Sequence, residues 1–396
     1  MKKKINDLID TTKKALKNIL PNIQPLKFKT LNNIILSGPN LINNFNLIQS
    51  QHPKFQIIPV LKSNAYGHGI VQIGRLLNLV KCKMVAVDGY FEALELSKIS
   101  NHKILIMGYI DKANFRILKL KKYSFVIQSA DDLITLGRLN KKIAIHLELN
   151  TGMNRLGLQP DELNHYLKTI QRFPKIKLEG VMTHLADADN INNSFTKKQL
   201  KSFDEAVEYI LNKGFKLKYI HIAQTAGSVK VESKYANAIR VGIGLYGINP
   251  LAPSDNYFKD LEKLMPILEL KSKIIKVQQL EEGDKVSYGG IFTANRPMQI
   301  GILPVGYYEG VPRELSNCGF ITHEDTTLPI IGRVCMNHTI IDLKDSKLKV
   351  GDEVTVISAN PSAPNSIANI AKNNKLFNYS LLTGLSSTIR RIINYI

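Results

Sequence analysis

Residues 57–108, IIPVLKSNAYGHGIVQIGRLLNLVKCKMVAVDGYFEALELSKISNHKILIMG, run strand, helix, strand, helix, strand. The apolar, β-prone runs IIPVLK (57–62), MVAVD (84–88) and ILIMG (104–108) are nearly continuous. That is the mark of parallel strands buried on both faces. VQIGRLLNLV and FEALELSKI, between them, carry helical spacing. The alternation continues through FVIQ (125–128), IAIHLEL (143–149), LEGVMTHL (178–185), YIHIA (219–223) and AIRVGIGLYG (238–247). Eight strands with intervening helices predict a (β/α)8 TIM-like barrel. A doubly wound sheet shares the alternation, and the count of eight separates the two.

After about residue 265 the pattern changes. KSKIIKVQQL, KVSYGG, MQIGILPVG, TLPIIGRV, HTIIDL and DEVTVIS are strand-like runs broken by turns such as Glu282-Gly283-Asp284. They predict a second, mostly β domain. The expected organisation is an N-terminal extension (1–29), a barrel (30–265) and a β-rich domain (266–396). A chain of 396 residues exceeds the ~250 of one barrel and leaves room for it.

Composition narrows the function classes. Three cysteines at wide spacing, Cys82, Cys318 and Cys335, form neither a disulfide framework nor a metal-ligand pattern, so no metal is expected. A reduced cytoplasmic compartment fits them. The net charge of +20 raises a nucleic-acid or membrane-surface partner. The basic residues are scattered, with no zinc finger or sustained basic helix, so neither partner is expected. The N-terminus has basic residues but no continuous apolar core, and no secretory leader is expected. Leu8, Ile9, Ala15, Leu16, Ile19 and Leu20 could line one face of a short amphipathic helix. No ~20-residue apolar stretch exists to span a membrane.

Barrel active sites gather at the carboxyl ends of the strands. Lys62 ends the first strand. A lysine there is either a snorkelling stem or an amine kept for carbonyl chemistry, because desolvation lowers its pKa and frees the nucleophile. Arg155 lies just past the fifth strand and His184 near the end of the sixth. Thr225 follows the seventh, and Arg240 leads into Gly242-Ile243 at the eighth. Thr225 with the amides of Gly242 and Ile243 would suit an anion, although a helix N-cap also explains the threonine.

The string LKSNAYGHG (61–69) resembles the pyridoxal-phosphate signature of the alanine racemases, with Ser63 replacing an alanine. The resemblance implies pyridoxal 5'-phosphate carried on Lys62, with Tyr66 donating to its phosphate. RVGIGLYG resembles the family segment whose arginine, here Arg240, faces the pyridine nitrogen. A guanidinium accepts no hydrogen bond, so that nitrogen should stay unprotonated and favour plain proton exchange. KVSYGG (285–290) resembles the segment holding the base opposite the lysine, here Tyr288. A tyrosine with pKa ~10 needs help to act as a base. In the family a histidine, here His184 in GVMTHLADAD, links it to the arginine. LELNTGMNRLG makes Arg155 the partner of the substrate carboxylate, and GRVCMN adds the amide of Met336. Tyr307, Arg313, Arg333 and Asp189 match the family's entrance corridor.

The function implied is interconversion of L- and D-alanine for peptidoglycan by a homodimer with shared active sites. A racemase of serine, lysine or broad specificity, or a non-catalytic cofactor-binding regulator, are the alternatives. The chain also departs from the family. Glu148 stands where many members have a lysine that can be carbamylated, and Asn337 replaces an aspartate. The tail LTGLSSTIRRIINYI aligns poorly, so no late phosphate-contacting tyrosine is assigned.

Overall fold

The computed structural model describes residues 28–396. The helix expected between Leu8 and Leu20 lies outside the described residues.

Strand β1 (Asn33–Ser37) leads into a helix, Gly38–Gln51. Ser37 caps that helix, its Oγ accepting from the Asn40 amide at 3.2 Å. Leu41, Phe45 and Ile48 form its buried stripe. The barrel follows as β2 (Gln56–Pro59), β3 (Met84–Val87), β4 (Lys103–Ile106), β5 (Tyr123–Ile127), β6 (Ile143–Glu148), β7 (Ile176–Met182), β8 (Tyr219–His221) and β9 (Ala238–Val241). They lie in the order β2-β9-β8-β7-β6-β5-β4-β3, every neighbouring pair parallel. A single bridge, Val60 to Ala86, nearly closes the ring. The protein is thus a (β/α)8 barrel joined to a mostly β domain. The apolar runs earn this arrangement. All four residues of β3 and all five of β5 are buried, each large side chain contributing about 1.5–3 kcal/mol.

The later strands are β10 (Leu268–Lys273), β11 (Lys276–Leu280), β12 (Lys285–Val286), β13 (Phe292–Thr293), β14 (Met298–Leu303), β15 (Phe320–His323), β16 (Thr326–Pro329), β17 (Thr339–Asp342), β18 (Glu353–Ile357) and β19 (Arg390–Asn394). They build a six-stranded sheet, β16-β15-β18-β10-β1-β19, and a three-stranded one, β11-β14-β17. Here the structure departs from the expected boundary at residue 30. Strand β1 belongs to the β-rich sheet, antiparallel to β10 and parallel to β19. Its alternating burial, with Ile34 and Leu36 inward, marks it as a sheet strand with one buried face.

Two runs were expected to stay extended longer than they do. AIRVGIGLYG is strand only to Val241, then turns at Gly242 into a 3-10 segment, Ile243–Tyr246. KVSYGG is strand only to Val286, because Ser287 (φ 62°) and Gly289 (φ 75°) take left-handed backbone. Among the described residues, no helix is long and apolar enough to cross a membrane.

Candidate active site

A cavity of about 300 Å³ lies at the carboxyl ends of the barrel strands. Lys62, Tyr66, Arg155, His184, Thr225 and Arg240 line it, with Gly242 and Ile243. Eight residues proposed from sequence therefore converge on one space. Tyr288 and Met336 do not line it. They border a separate open groove with Tyr307, Arg313 and Arg333, and are 71% and 55% exposed. Asp189 is exposed and lines neither space.

Lys62 stands at the head of an unusual turn. Ser63, Asn64, Ala65 and Tyr66 all have φ between 53° and 55°, one turn of left-handed helix, closed by Gly67 at φ 80°. For L-residues this costs about 1–2 kcal/mol each, so the surroundings must impose it. Asn64 Oδ1 accepts from the Ile70 amide at 2.8 Å, and Glu92 accepts from the Asn64 amide. His68 Nδ1 bonds the carbonyls of Ala65 and Tyr66 at 3.0 and 2.9 Å, and its ring stacks on Tyr246. Burial holds His68 down at about 4, so it is neutral and donates from Nδ1. A side chain at Gly67 would meet the Leu382 carbonyl oxygen at 1.9 Å.

The expected anion seat is assembled opposite. Thr225 is buried, its Oγ1 accepting from the Gly244 amide at 3.1 Å. At Gly242 a Cβ would sit 2.4 Å from Tyr66 Oη, so the glycine leaves a cradle that a side chain would fill. Burial, with Tyr379 adding to it, raises the Tyr66 pKa, which keeps its hydroxyl a donor. Lysine amine, hydroxyl donors and open cradle fit pyridoxal phosphate.

Four acceptors hold the Nη1 and Nη2 groups of Arg240. Nη1 donates to the His221 carbonyl and to His221 Nδ1, both at 3.0 Å. Nη2 donates to the Thr183 carbonyl at 2.7 Å and to His184 Nδ1 at 3.3 Å. Burial brings its pKa down to about 10, so it remains a cation at neutral pH. Burial, then Arg240, Arg155 and Lys62, push His184 down to about 3. His184 is therefore neutral. With Nδ1 accepting from Arg240, its hydrogen sits on Nε2, free to donate. Glu148 also lines the cavity, its pKa raised by burial against the pull of Arg240 and Arg155. In the outer groove, Arg333 Nε donates to the Tyr288 carbonyl at 3.3 Å, and Asn337 Nδ2 donates to Glu309 at 2.9 Å.

The structure adds one residue that sequence reading left unassigned, just ahead of the poorly aligned tail. Tyr379, on the short helix Asn378–Thr383, lines the cavity, its ring 6.0 Å from that of Tyr66. An aromatic residue between two apolar leucines and a helix cap carried no signal for it.

This fold and cavity define an α/β-barrel enzyme with a β-rich second domain. The alanine racemase N-terminal domain model matches residues 37–250 and the C-terminal domain model matches 267–393. The chain belongs to the alanine racemase family. It is 32% identical over 370 residues to an alanine racemase of Borreliella burgdorferi (strain ZS7), covering 90% of this chain and 96% of that protein. The structure of an alanine racemase from Clostridium difficile 630 superposes with a TM-score of 0.85 at 28% identity, covering 93% of this chain and 97% of that one. An alanine racemase structure from Bartonella henselae, with covalently bound pyridoxal phosphate, shares the fold at a TM-score of 0.78 and 24% identity, covering 92% and 100%.

Proposed function

We propose that the protein interconverts L-alanine and D-alanine by moving the Cα proton between two bases. The observation that carries this reading is the meeting of Lys62 and Arg240 in one cavity, with Arg240 held so that it can only donate. Pyridoxal phosphate, when bound, supplies a covalent handle for the amino group and a conjugated ring that takes up the electron pair as the Cα–H bond breaks. Lys62 would hold it, while Thr225, Tyr66 and the amides of Gly242 and Ile243 would bind its phosphate. Arg240, which can only donate, would face its ring nitrogen and favour proton exchange over other chemistry.

Lys62 serves one face of the substrate and Tyr288 the other. His184 supports Tyr288 as a neutral donor through Nε2–H, rather than as a cation. Arg155 and the Met336 amide bind the substrate carboxylate. Tyr288 lies on the outer groove, 71% exposed, which supports a homodimer in which Tyr288 and Met336 complete the neighbouring protomer's cavity. The D-alanine formed would serve peptidoglycan synthesis in the cytoplasm.

The test is complementation. Lys62→Ala and Tyr288→Phe should each abolish racemisation of alanine alone. Co-expressed, they should recover about a quarter of wild-type activity, since half the dimers are mixed and each holds one intact site. No recovery would place both bases in one protomer; full activity in Lys62→Ala would remove the mechanism. Assays with serine and lysine beside alanine fix the specificity.

A further inference from the structure

Three buried polar side chains run down the barrel interior from Arg240, and none is used by the mechanism above. They are His221 on β8, His146 on β6 and Glu179 on β7. Arg240 Nη1 is 3.0 Å from His221 Nδ1, and His221 Nε2 is 2.7 Å from His146 Nδ1. His146 Nε2 lies 3.7 Å from Glu179 Oε2, within reach of its charge but beyond a hydrogen bond. The same carboxylate oxygen accepts from Ser124 Oγ at 2.8 Å and from Lys103 Nζ at 2.5 Å.

The hydrogens follow from the guanidinium. Arginine accepts nothing, so His221 Nδ1 must present its lone pair and carry its hydrogen on Nε2. That hydrogen is donated to His146 Nδ1, which leaves the hydrogen of His146 on Nε2, facing Glu179. Every donor therefore points the same way, from Arg240 to the carboxylate. Protonating His221 would set two donors face to face, and burial, His146 and Arg240 all push it well below its ordinary pKa. Burial also lowers His146, against the pull of Glu179. The opposite set of tautomers would end with an N–H aimed at Arg240.

We propose that Glu179 is a positioning residue for Arg240: its charge faces the Nε2–H end of the His146–His221 relay that Arg240 orients, and so holds both rings, and with them the guanidinium, in the orientation that meets the cavity. The proposal rests on Arg240 being the donor to the cofactor ring. The competing role for Glu179 is purely structural: neutralising Lys103, which is part-buried beside it. The two roles differ in what happens when both charges are removed together.

The experiment uses the full-length protein with 15N-labelled histidine, with and without pyridoxal phosphate. Ring tautomers are read by NMR in wild type, Glu179→Leu and the double variant Lys103→Met/Glu179→Leu. In wild type at neutral pH, His146 and His221 should both be neutral with hydrogen on Nε2. In both variants the His146 ring nitrogens should shift and broaden as the ring loses the charge that holds it, and kcat should fall about tenfold in both directions with little change in KM. The double variant should melt near the wild-type temperature. Wild-type ring-nitrogen signals of His146 and a wild-type kcat in the double variant would overturn the proposal. The reading of Arg240 fails separately, if Arg240→Met leaves the cofactor absorbance and the rate unchanged. The tautomers measured without cofactor judge the chain of hydrogen bonds independently of that result.

Discussion

Arg391 on β19 donates from Nε and Nη2 to the carbonyl oxygen of Gly67, at 3.0 and 2.7 Å. The last strand of the β-rich sheet therefore grips the left-handed turn that carries Lys62. The guanidinium also donates to the carbonyls of Ser386 and Ile389, so it is fixed from both sides. Arg391→Met leaves the Gly67 carbonyl without this partner. Stability should fall by about 2 kcal/mol in denaturant titrations, and the cofactor absorbance should weaken with it.

Gly242→Ala should act on the anion seat. The new methyl would sit 2.4 Å from Tyr66 Oη, so the tyrosine must move out of the cradle. Overpacking of this kind costs about 1–3 kcal/mol, or roughly tenfold or more in cofactor affinity. Titration with pyridoxal phosphate measures it, and circular dichroism should show the fold retained.

Glu148→Gln tests whether a fixed carboxylate orients Arg155. Glu148 feels both Arg240 and Arg155, and the substitution removes the negative charge that it offers to both. We expect kcat/KM for alanine to fall about tenfold, mainly through KM. Unchanged kinetics would show that Arg155 is positioned by other groups.

His68 makes stability depend on pH. Its folded pKa is about 4, lowered by burial, against an ordinary 6.5. Below 6.5 the unfolded chain takes up a proton that the folded chain refuses. The contribution is therefore intact above pH 6.5, declines as pH falls, and is lost by about pH 4. The full loss is about 3 kcal/mol. Urea titrations between these pH values should show a shallower slope for His68→Gln than for wild type.

The barrel was legible because parallel strands enclosed on both faces must be apolar runs, as Met84–Val87 and Ile143–Glu148 are. The strand ends then placed Lys62, His184, Thr225 and Arg240 around one cavity. Other features were not legible, for specific reasons. Strand β1 takes its partners from residues 268–273 and 390–394, which no local pattern announces. The turn Ser63–Tyr66 is left-handed without a glycine inside it, since tertiary contacts impose the conformation. His146 and His221 each look like a stray polar residue in an apolar strand, and only their 2.7 Å contact joins them. Tyr288 was legible on the β-rich segment, but its place on the outer groove rather than in the barrel cavity follows from no local pattern.

Pairing of β1 with β19, from Asn33 with Arg390 to Ser37 with Asn394, has a consequence for biosynthesis. On the ribosome the barrel strands emerge well before residue 390, while β1 must wait with one edge uncovered. The six-stranded sheet can close only when β19 has cleared the exit tunnel. Arg391 arrives in that same step and locks the Gly67 turn. Until β19 joins the sheet, the Gly67 carbonyl lacks its two Arg391 donors, and the turn that carries Lys62 stays unsecured.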